Sequence, residues 1–234
     1  TITLAGLLWM KSLAPAWFST IYGVGYLVSS VWFAVAVVWL LSLALRRTRA
    51  MQAVLGTNQF HALGMLLLAF TLLHAYLHYS QYFVIWNANI PEETTWHIAR
   101  ETGTWRLAGL ALVFGHFLLP FLILLRADAK LNPGLSGAVC VWAWLMHYVD
   151  IGYQVLPHAS PSGFPWQKVW LDVACLAFMG GLLWRGFLRD FSRHHPFPVR
   201  DPRLSEAIAG AEGMLTSAET ARADQRELFM SSAL

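Results

Sequence analysis

The sequence predicts an all-α membrane protein, a polytopic transmembrane helical bundle of five spans. Of its 234 residues, 57% are hydrophobic and only 12% are charged. The apolar runs are also longer than the core helices of a soluble domain. A helix needs about 20 apolar residues to cross the roughly 30 Å hydrocarbon core of a membrane. The segments that satisfy this length are 18–45, 58–79, 107–125, 135–156 and 169–188.

Arginine and lysine gather at the ends of three spans and predict the topology. These basic residues are Arg46, Arg47, Arg49, Arg126, Lys130, Arg185, Arg189, Arg193, Arg200 and Arg203. By the positive-inside rule those ends are cytoplasmic, which puts the amino end and the loops 80–106 and 157–168 outside. The net charge of +3 is too small and too scattered to predict nucleic-acid binding.

The segments that flank the bundle differ from it in composition. Residues 1–17 are predicted to be an interfacial lead-in rather than a sixth span, because the stretch is short and is interrupted by Lys11 and Pro15. The bundle covers 18–195. Residues 196–234 are predicted to be a polar cytoplasmic tail, because the apolar content falls sharply there.

The long outer loop contains a predicted surface helix. Pro91 suits the first turn of a helix, and Glu92 and Glu93 suit its positive end. We expect the helix to end at Gly103.

Ionisable residues lie in the outer halves of the second and fourth spans. His74 and His78 are four residues apart and project from nearly the same helix face. His147, Asp150 and Gln154, at positions i, i+3 and i+7, also share one face. Because ionisable groups in lipid are costly, we expect these faces to turn inward and to meet in one polar region that opens outward.

Asp172, at the start of the fifth span, is expected to join this region. The region resembles half of a proton route, since histidine titrates near neutral pH and a neighbouring carboxylate can accept its proton. The alternative interpretation is interhelical hydrogen bonding, in which each His or Asp holds helices together.

His116 lies near the middle of the third span, four residues before Pro120. Proline has no N–H to donate to the carbonyl at i−4, so a kink or a water is expected beside this imidazole. Such a break suits a hydrated relay, and it is also common in structural helices. His61 and Asn58 stand at the cytoplasmic start of the second span, where an inlet could lie, although a helix start alone explains polar residues there.

The histidines could instead ligate b-type haem. Two axial ligands must lie on opposite faces of the ring, so His74 and His78 on one helical turn cannot serve the same iron as a pair. His116 and His147 could supply partners at comparable depth. No Cys-x-x-Cys-His attachment motif supports this alternative.

The sequence lacks the patterns of a metal centre and of self-contained catalysis. Cys140 and Cys175 both fall inside spans and make neither a metal motif nor an evident disulfide. No Gly-x-Ser-x-Gly elbow occurs, and Gly180-Gly181 lies in an apolar span rather than in a nucleotide-binding loop.

Several long segments carry a resemblance to a known family. They are WFSTIYG at 17–23, RTRAM at 47–51, HAYLHYSQYFVIWNANIPEE at 74–93, FGHFLLPF at 114–121 and WAWLMHYVD at 142–150. In this order they resemble the NrfD-like membrane subunits of bacterial alternative complex III, and in particular the second of its two paralogous quinone-binding-type subunits. Members of this family have roughly twice as many spans, so these residues are expected to correspond to the carboxyl-terminal half.

The resemblance implies a subunit of a quinol:cytochrome c (or equivalent acceptor) oxidoreductase in the bacterial inner membrane. It also implies assembly with the paralogous membrane subunit, an iron–sulfur subunit and haem c subunits. The haem c groups and iron–sulfur clusters belong to those partners. This chain itself is expected to bind no cofactor, with quinol as a candidate ligand.

We therefore expect a non-catalytic subunit that conducts protons, with no metal ligand. The candidate proton path is His61, His74, His78, His116, His147, Asp150 and Asp172. A first alternative is a quinol oxidation pocket in which His78 or His116 takes a quinol proton beside an aromatic wall. A second alternative is a purely structural scaffold.

Overall fold

A computed structural model of the chain describes residues 2–14, 17, 19–48, 51, 55–194 and 209. These residues form helices and their connections, with no strand among them, so the predicted all-α fold is confirmed. The helices are α1 (Ile2–Leu13), α2 (Tyr22–Leu45), α3 (Thr57–Ala88), α4 (Pro91–Ile98), α5 (Gly103–Leu125), α6 (Ala127–Leu131), α7 (Pro133–Ala159) and α8 (Val169–Phe191).

The chain divides into two compact units. The first contains Thr1–Leu43 and Gln59–Trp170, and the second contains Ala44–Asn58 and Leu171–Leu234. All of the candidate proton-path residues except Asp172 belong to the first unit.

The lead-in is a short apolar helix rather than a span. Helix α1 begins as an α-helix and widens to a π-helix over Gly6–Met10. A Cβ at Gly6 would lie 2.8 Å from the Tyr26 ring, so glycine allows α1 to lie directly against the start of α2. Trp17, which follows α1, is buried and stacks on Trp96 with 4.6 Å between the ring centroids.

Helices α2 and α3 are the first two predicted spans. Helix α3 has 32 residues and is therefore about 48 Å long, which exceeds the hydrocarbon core of a bilayer. It continues nine residues beyond the predicted end at 79 and stops at Asn89, which adopts a positive φ of 49°. Asparagine tolerates this left-handed conformation and is common at such positions. The outer connection thus begins at 89 and not near 80.

The predicted surface helix forms as α4, with Pro91 in its first turn. The prediction that it ends at Gly103 is wrong, because α4 ends at Ile98 and Gly103 is the first residue of α5. Gly103 has a φ of +58°, so it supplies the left-handed turn that leads the chain into the next helix.

Helix α5 changes its winding in the middle. It is α-helical over Gly103–Ala111, π-helical over Leu112–Leu118 and α-helical again from Leu119. The wide turn directly precedes Pro120, where a backbone N–H is missing. The irregularity expected from His116 and Pro120 is therefore present, as a π-helical segment, a form that occurs mostly as short bulges.

Helices α5 and α7 form an antiparallel pair joined by α6. Asn132 caps α7 by accepting hydrogen bonds from the backbone N–H groups of Gly134 and Leu135, at 3.0 and 3.3 Å. Trp142 Nε1 donates to the Gly115 carbonyl at 2.8 Å in the middle of the pair. At the far end, Trp105 Nε1 donates to the Ser160 carbonyl at 3.0 Å. These bonds set α7 alongside α5 over most of its length.

Four helical stretches among the described residues are long and apolar enough to cross a membrane. They are Tyr22–Leu45, Thr57–Ala88, Gly103–Leu125 and Trp166–Phe191. The remaining predicted span, 135–156, forms α7, which has 27 residues and is long enough to cross. His147, Asp150 and Gln154 lower its mean hydropathy. The chain is a multi-pass helical membrane protein; its orientation stays a prediction.

The second unit contains α8, whose 23 residues include the predicted span 169–188. Asp172 lies in the first turn of this helix. The predicted polar tail 196–234 lies outside the described residues, apart from residue 209.

Candidate functional site

Four histidines and one aspartate come together inside the first unit. His74 and His78 are on α3, His116 is on the π-helical segment of α5, and His147 and Asp150 are on α7. We call these five residues the histidine–aspartate cluster. Residues of α2 close it on the remaining side.

Asp150 is the anionic centre of the cluster and is completely buried. Its Oδ2 accepts a hydrogen bond from Ser29 Oγ at 2.9 Å, and its Oδ1 accepts one from Gln154 Nε2 at 3.1 Å. His74 Nε2 lies 3.5 Å from Oδ2. A buried carboxylate requires such donors, because a charge without partners in an apolar interior is very costly.

Ser29 links Asp150 to His147. Its Oγ lies 3.2 Å from His147 Nδ1. A serine hydroxyl has one proton, and here that proton goes to Asp150, so Ser29 accepts from His147. This assignment places the His147 proton on Nδ1 and makes His147, Ser29 and Asp150 one directed hydrogen-bond chain.

Three imidazole rings pack against one another beside the carboxylate. The His74 ring centroid lies 4.2 Å from that of His78 and 4.2 Å from that of His116. His116 also lies 4.2 Å from the Trp32 ring of α2. His116 therefore packs against both Trp32 and His74, whose own ring centroids lie 6.4 Å apart.

Trp32 fixes the position of this stack. It is completely buried, and its Nε1 donates to Thr71 Oγ1 at 2.8 Å. The Thr71 hydroxyl in turn donates to the Leu67 carbonyl of its own helix at 2.8 Å. Every polar atom of this pair thus has a partner, so Trp32 forms a rigid wall for the His116 ring.

Several nitrogen atoms of the cluster have no hydrogen-bond partner within the part of the chain that the structure describes. They are Nδ1 and Nε2 of His116 and Nε2 of His74. His116 is 1% exposed and His74 is 5% exposed. Buried polar atoms without partners are rare in proteins, and each one needs an explanation.

A second buried charge lies between α4 and the carboxyl-terminal end of α7, on a residue outside the predicted spans. Arg100 donates from Nε to the Tyr153 carbonyl at 2.9 Å, from Nη1 to the Trp96 carbonyl at 2.8 Å and from Nη2 to the Gln154 carbonyl at 2.8 Å. Its guanidinium carbon also lies 3.5 Å from the centroid of the Trp96 ring. We call this arrangement the Arg100 site.

Burial changes the titration of the groups at the Arg100 site. It lowers the pKa of Arg100 to about 10, so the side chain stays protonated at neutral pH. Burial, followed by the nearby charge of Arg100, lowers the pKa of His97 to about 4. His97 is therefore neutral at physiological pH.

The structure brings most of the predicted site residues together. His74, His78, His147 and Asp150 form one cluster, as expected, and His116, which the sequence placed apart, joins them. His61 lies 13 residues before His74 on α3, which separates the two by about 20 Å along the helix axis. His61 is thus not part of the cluster, and its role as an inlet stays a prediction, as does the role of Asp172 in the second unit.

Sequence reasoning missed Ser29, Trp32 and Arg100. Ser29 and Trp32 are three residues apart on α2 and share one face, which is the available signal for both. The sequence also contained a signal for Arg100. The positive-inside rule disfavours a basic residue in a loop predicted to lie outside, so a structural role was a possible reason for its presence there.

His74, His78 and Asp150 also have the composition of a metal-binding set. Each offers one ligand atom, and these atoms all lie within 4.8 Å of one another. The expectation of no metal ligand rested on the two cysteines and on motifs along the sequence. Because His74 and His78 lie on α3 and Asp150 lies on α7, these ligands do not form a short motif along the sequence.

No protein-family model matches the chain, and no curated protein matches its sequence. The resemblance to the alternative complex III subunits rests on the five quoted segments alone.

Proposed function

We propose that this chain is a membrane subunit of a quinol-oxidising electron-transfer complex and that its histidine–aspartate cluster carries protons. The observation that supports the proton route is the convergence of five titratable side chains from α3, α5 and α7, of which His74, His116 and Asp150 are buried. The five sequence segments that resemble alternative complex III subunits support the quinol-oxidising complex.

The hydrogen-bond chain supplies a plausible first step. When His147 takes up a proton at Nε2, the resulting imidazolium donates its Nδ1 proton to Ser29 Oγ while the Ser29 hydroxyl proton moves to Asp150 Oδ2, which leaves His147 neutral with its proton on Nε2. The proton on Asp150 can then pass to His74 Nε2, 3.5 Å away. Each transfer moves one proton between adjacent atoms, and imidazole and carboxylate groups are suited to this work.

The atoms without partners favour this function over interhelical bonding. A histidine that only holds helices together should form a hydrogen bond to a neighbouring helix. His116 forms none among the described residues, although it lies at the centre of the cluster. A water that enters beside the π-helical segment could satisfy these atoms and extend the route, since buried water commonly bridges such groups.

Quinol-driven proton release tests the route. The complex is isolated through a tag on this chain and reconstituted in liposomes that contain a pH-sensitive dye. We expect Asp150→Asn and His74→Gln to slow proton release at least about tenfold, which equals about 1.4 kcal/mol in the barrier. The control is His158→Gln, an exposed histidine on the same helix as Asp150. Unchanged release with an intact complex would refute the route.

The same isolation tests membership in the complex. We expect haem c proteins and an iron–sulfur protein to co-purify with the chain in fixed proportion. Isolation of the chain without any redox-active protein, from membranes solubilised in mild detergent, would contradict membership.

A quinol pocket is the second candidate, and one observation favours His78 as its contact. His78 is the least enclosed residue of the cluster, and Tyr76 and Tyr79 beside it on α3 are each 65% exposed. His116 is completely buried and cannot touch a ligand without rearrangement. Photoaffinity labelling with a quinone analogue should mark residues near His78 if this pocket exists, and should mark only partner subunits if the chain conducts protons alone.

A further inference from the structure

We propose that His74, His78 and Asp150 form a binding site for a divalent transition metal ion, with Zn²⁺ as the best fit. This inference does not rest on the proton route, although an ion at this position would occupy the Asp150 and His74 atoms that the route uses. It rests on the geometry of the ligand atoms and on their supporting hydrogen bonds.

The two histidines have the spacing that zinc sites use on helices. Residues four apart lie one turn apart on the same face, so two imidazoles can reach one ion. The ring centroids of His74 and His78 lie 4.2 Å apart, with 38° between the ring planes. Neither ring has to leave its helix face to share a ligand.

Asp150 supplies the third ligand from α7. The three ligand atoms lie within 4.8 Å of one another. Zinc binds nitrogen and oxygen at about 2.0–2.2 Å, so tetrahedral ligand atoms stand roughly 3.4 Å apart. Rotation of the imidazoles about their side-chain torsions can supply this contraction, which is about 1.4 Å at most.

The carboxylate is already oriented for such a role. Ser29 and Gln154 each donate one hydrogen bond to it, at 2.9 and 3.1 Å, and each Asp150 oxygen keeps a second acceptor direction. Partners of this kind, which hold a metal-bound group in place, typically change metal affinity 10–100-fold when they are mutated.

The contact between His74 and Asp150 has the separation that a shared ion needs. His74 Nε2 is buried and lies 3.5 Å from Asp150 Oδ2, close to the distance between two ligand atoms of a tetrahedral zinc ion. A metal ion bound between the two atoms would replace their direct contact. Two imidazoles and one carboxylate leave a fourth position, which is the composition of zinc sites that keep a water or a substrate.

The chemistry of the set selects the class of ion. Calcium and magnesium prefer ligand sets made of oxygen atoms, whereas two imidazoles favour Zn²⁺, Cu²⁺ or Ni²⁺. The carboxylate also offsets half of the charge of a divalent ion, which makes burial of the ion less costly.

Binding of Co²⁺ and Zn²⁺ to the purified full chain tests the site. The chain is purified in detergent through a tag without histidine and is treated with a chelator. Titration with Co²⁺ should produce the visible absorption of a tetrahedral ion at one equivalent per chain, and Zn²⁺ should remove it. Calorimetry should show saturable Zn²⁺ binding that excess Mg²⁺ does not prevent.

Variants assign the ligands. His78→Gln and Asp150→Asn should each weaken Zn²⁺ binding at least about 100-fold, and Ser29→Ala should weaken it about tenfold. His158→Gln, remote from the set, should bind as the unchanged protein does. If Asp150→Asn fails to fold, His78→Gln still decides, because His78 is the least enclosed of the three.

Two results would overturn the site. One is the absence of saturable Co²⁺ or Zn²⁺ binding by the folded chain. The other is binding that His78→Gln and Asp150→Asn leave unchanged. Neither result bears on quinol-driven proton release, so the metal site and the proton route can fail separately.

Discussion

The histidine–aspartate cluster and the Arg100 site are both buried and polar, yet His116 in the first and Arg100 in the second differ in how their nitrogen atoms are paired. At the Arg100 site, Nε, Nη1 and Nη2 each donate to a carbonyl, and Trp96 covers the face of the guanidinium. Both nitrogens of His116 have no hydrogen-bond partner among the described residues, and neither has Nε2 of His97 beside Arg100.

This difference indicates a structural role for Arg100. A polar group whose nitrogens all donate hydrogen bonds rigidifies its surroundings, and its removal leaves several acceptors unpaired. A buried polar group without hydrogen bonds lowers stability, so its presence needs an explanation such as a bound water or a function. The Arg100 site therefore joins the outer loop to α7, and the cluster is the candidate for chemistry.

The largest effect is expected at the Arg100 site. Arg100→Met keeps the length of the side chain but leaves the Trp96, Tyr153 and Gln154 carbonyls without this donor. The free energy of unfolding should fall by about 2–3 kcal/mol, measured by denaturant titration in detergent. Arg100→Lys should recover only part of the loss, since an ammonium cannot reproduce the planar fork. If the Arg100→Met variant is as stable as the unchanged protein, the hydrogen bonds of Arg100 do not stabilise the fold, and the structural role inferred for Arg100 is wrong.

A smaller effect is expected where α7 supports the π-helical segment. Trp142→Phe removes the donor to the Gly115 carbonyl and should lower the free energy of unfolding by about 1–2 kcal/mol. Trp144→Phe, on the more exposed side of the same helix, is the matched control and should stay within about 0.5 kcal/mol. An equal decrease in the free energy of unfolding for both variants would show that the hydrogen bond from Trp142 to the Gly115 carbonyl does not contribute measurably to stability.

His97 should make the free energy of unfolding depend on pH. Its pKa in the folded chain is about 4, against an ordinary value of 6.5, so between these values the unfolded chain binds a proton that the folded chain does not. The free energy of unfolding should therefore fall as the pH drops from 7 to 5. His97→Asn should reduce this fall by less than about 1 kcal/mol, because solvent screens a partly exposed group. Identical pH profiles for both proteins would contradict the shift.

The smallest effect on stability is expected inside the cluster. His116→Phe replaces an imidazole without partners by an apolar ring, so the free energy of unfolding should stay constant or rise by about 1 kcal/mol. His116→Leu, which is smaller, controls for over-packing between Trp32 and His74. Both variants should slow quinol-driven proton release. A loss of stability comparable to that of Arg100→Met would mean that the His116 nitrogens are paired.

The helices were predictable to the extent that local chemistry determines them. The apolar runs predicted each long helix, and Pro91 predicted the start of α4. Gly103 was misassigned because a glycine with positive φ can end one helix or lead into the next, and the sequence alone does not distinguish these. The end of α3 was misplaced because aromatic residues of an interfacial belt are compatible with both a helix and a loop.

The site was predictable only in part. Helical spacing grouped His74 with His78 and His147 with Asp150, since residues four or three apart share a face. It could not group His116 with His74, because no periodicity relates residues on different helices. Ser29 and Trp32 were missed for the same reason, and so was the metal-binding set that α3 and α7 form together.

The sequence by itself determined that this chain is helical, that its long helices suit a membrane and which faces carry ionisable groups. These properties depend on composition and on the 3.6-residue period, which act over a single helix. Only the tertiary structure decided that four histidines gather near one carboxylate, that each nitrogen of the Arg100 side chain donates a hydrogen bond and that neither nitrogen of His116 has a partner among the described residues. Such pairing depends on distances between helices that are far apart in the chain, and packing alone sets those distances.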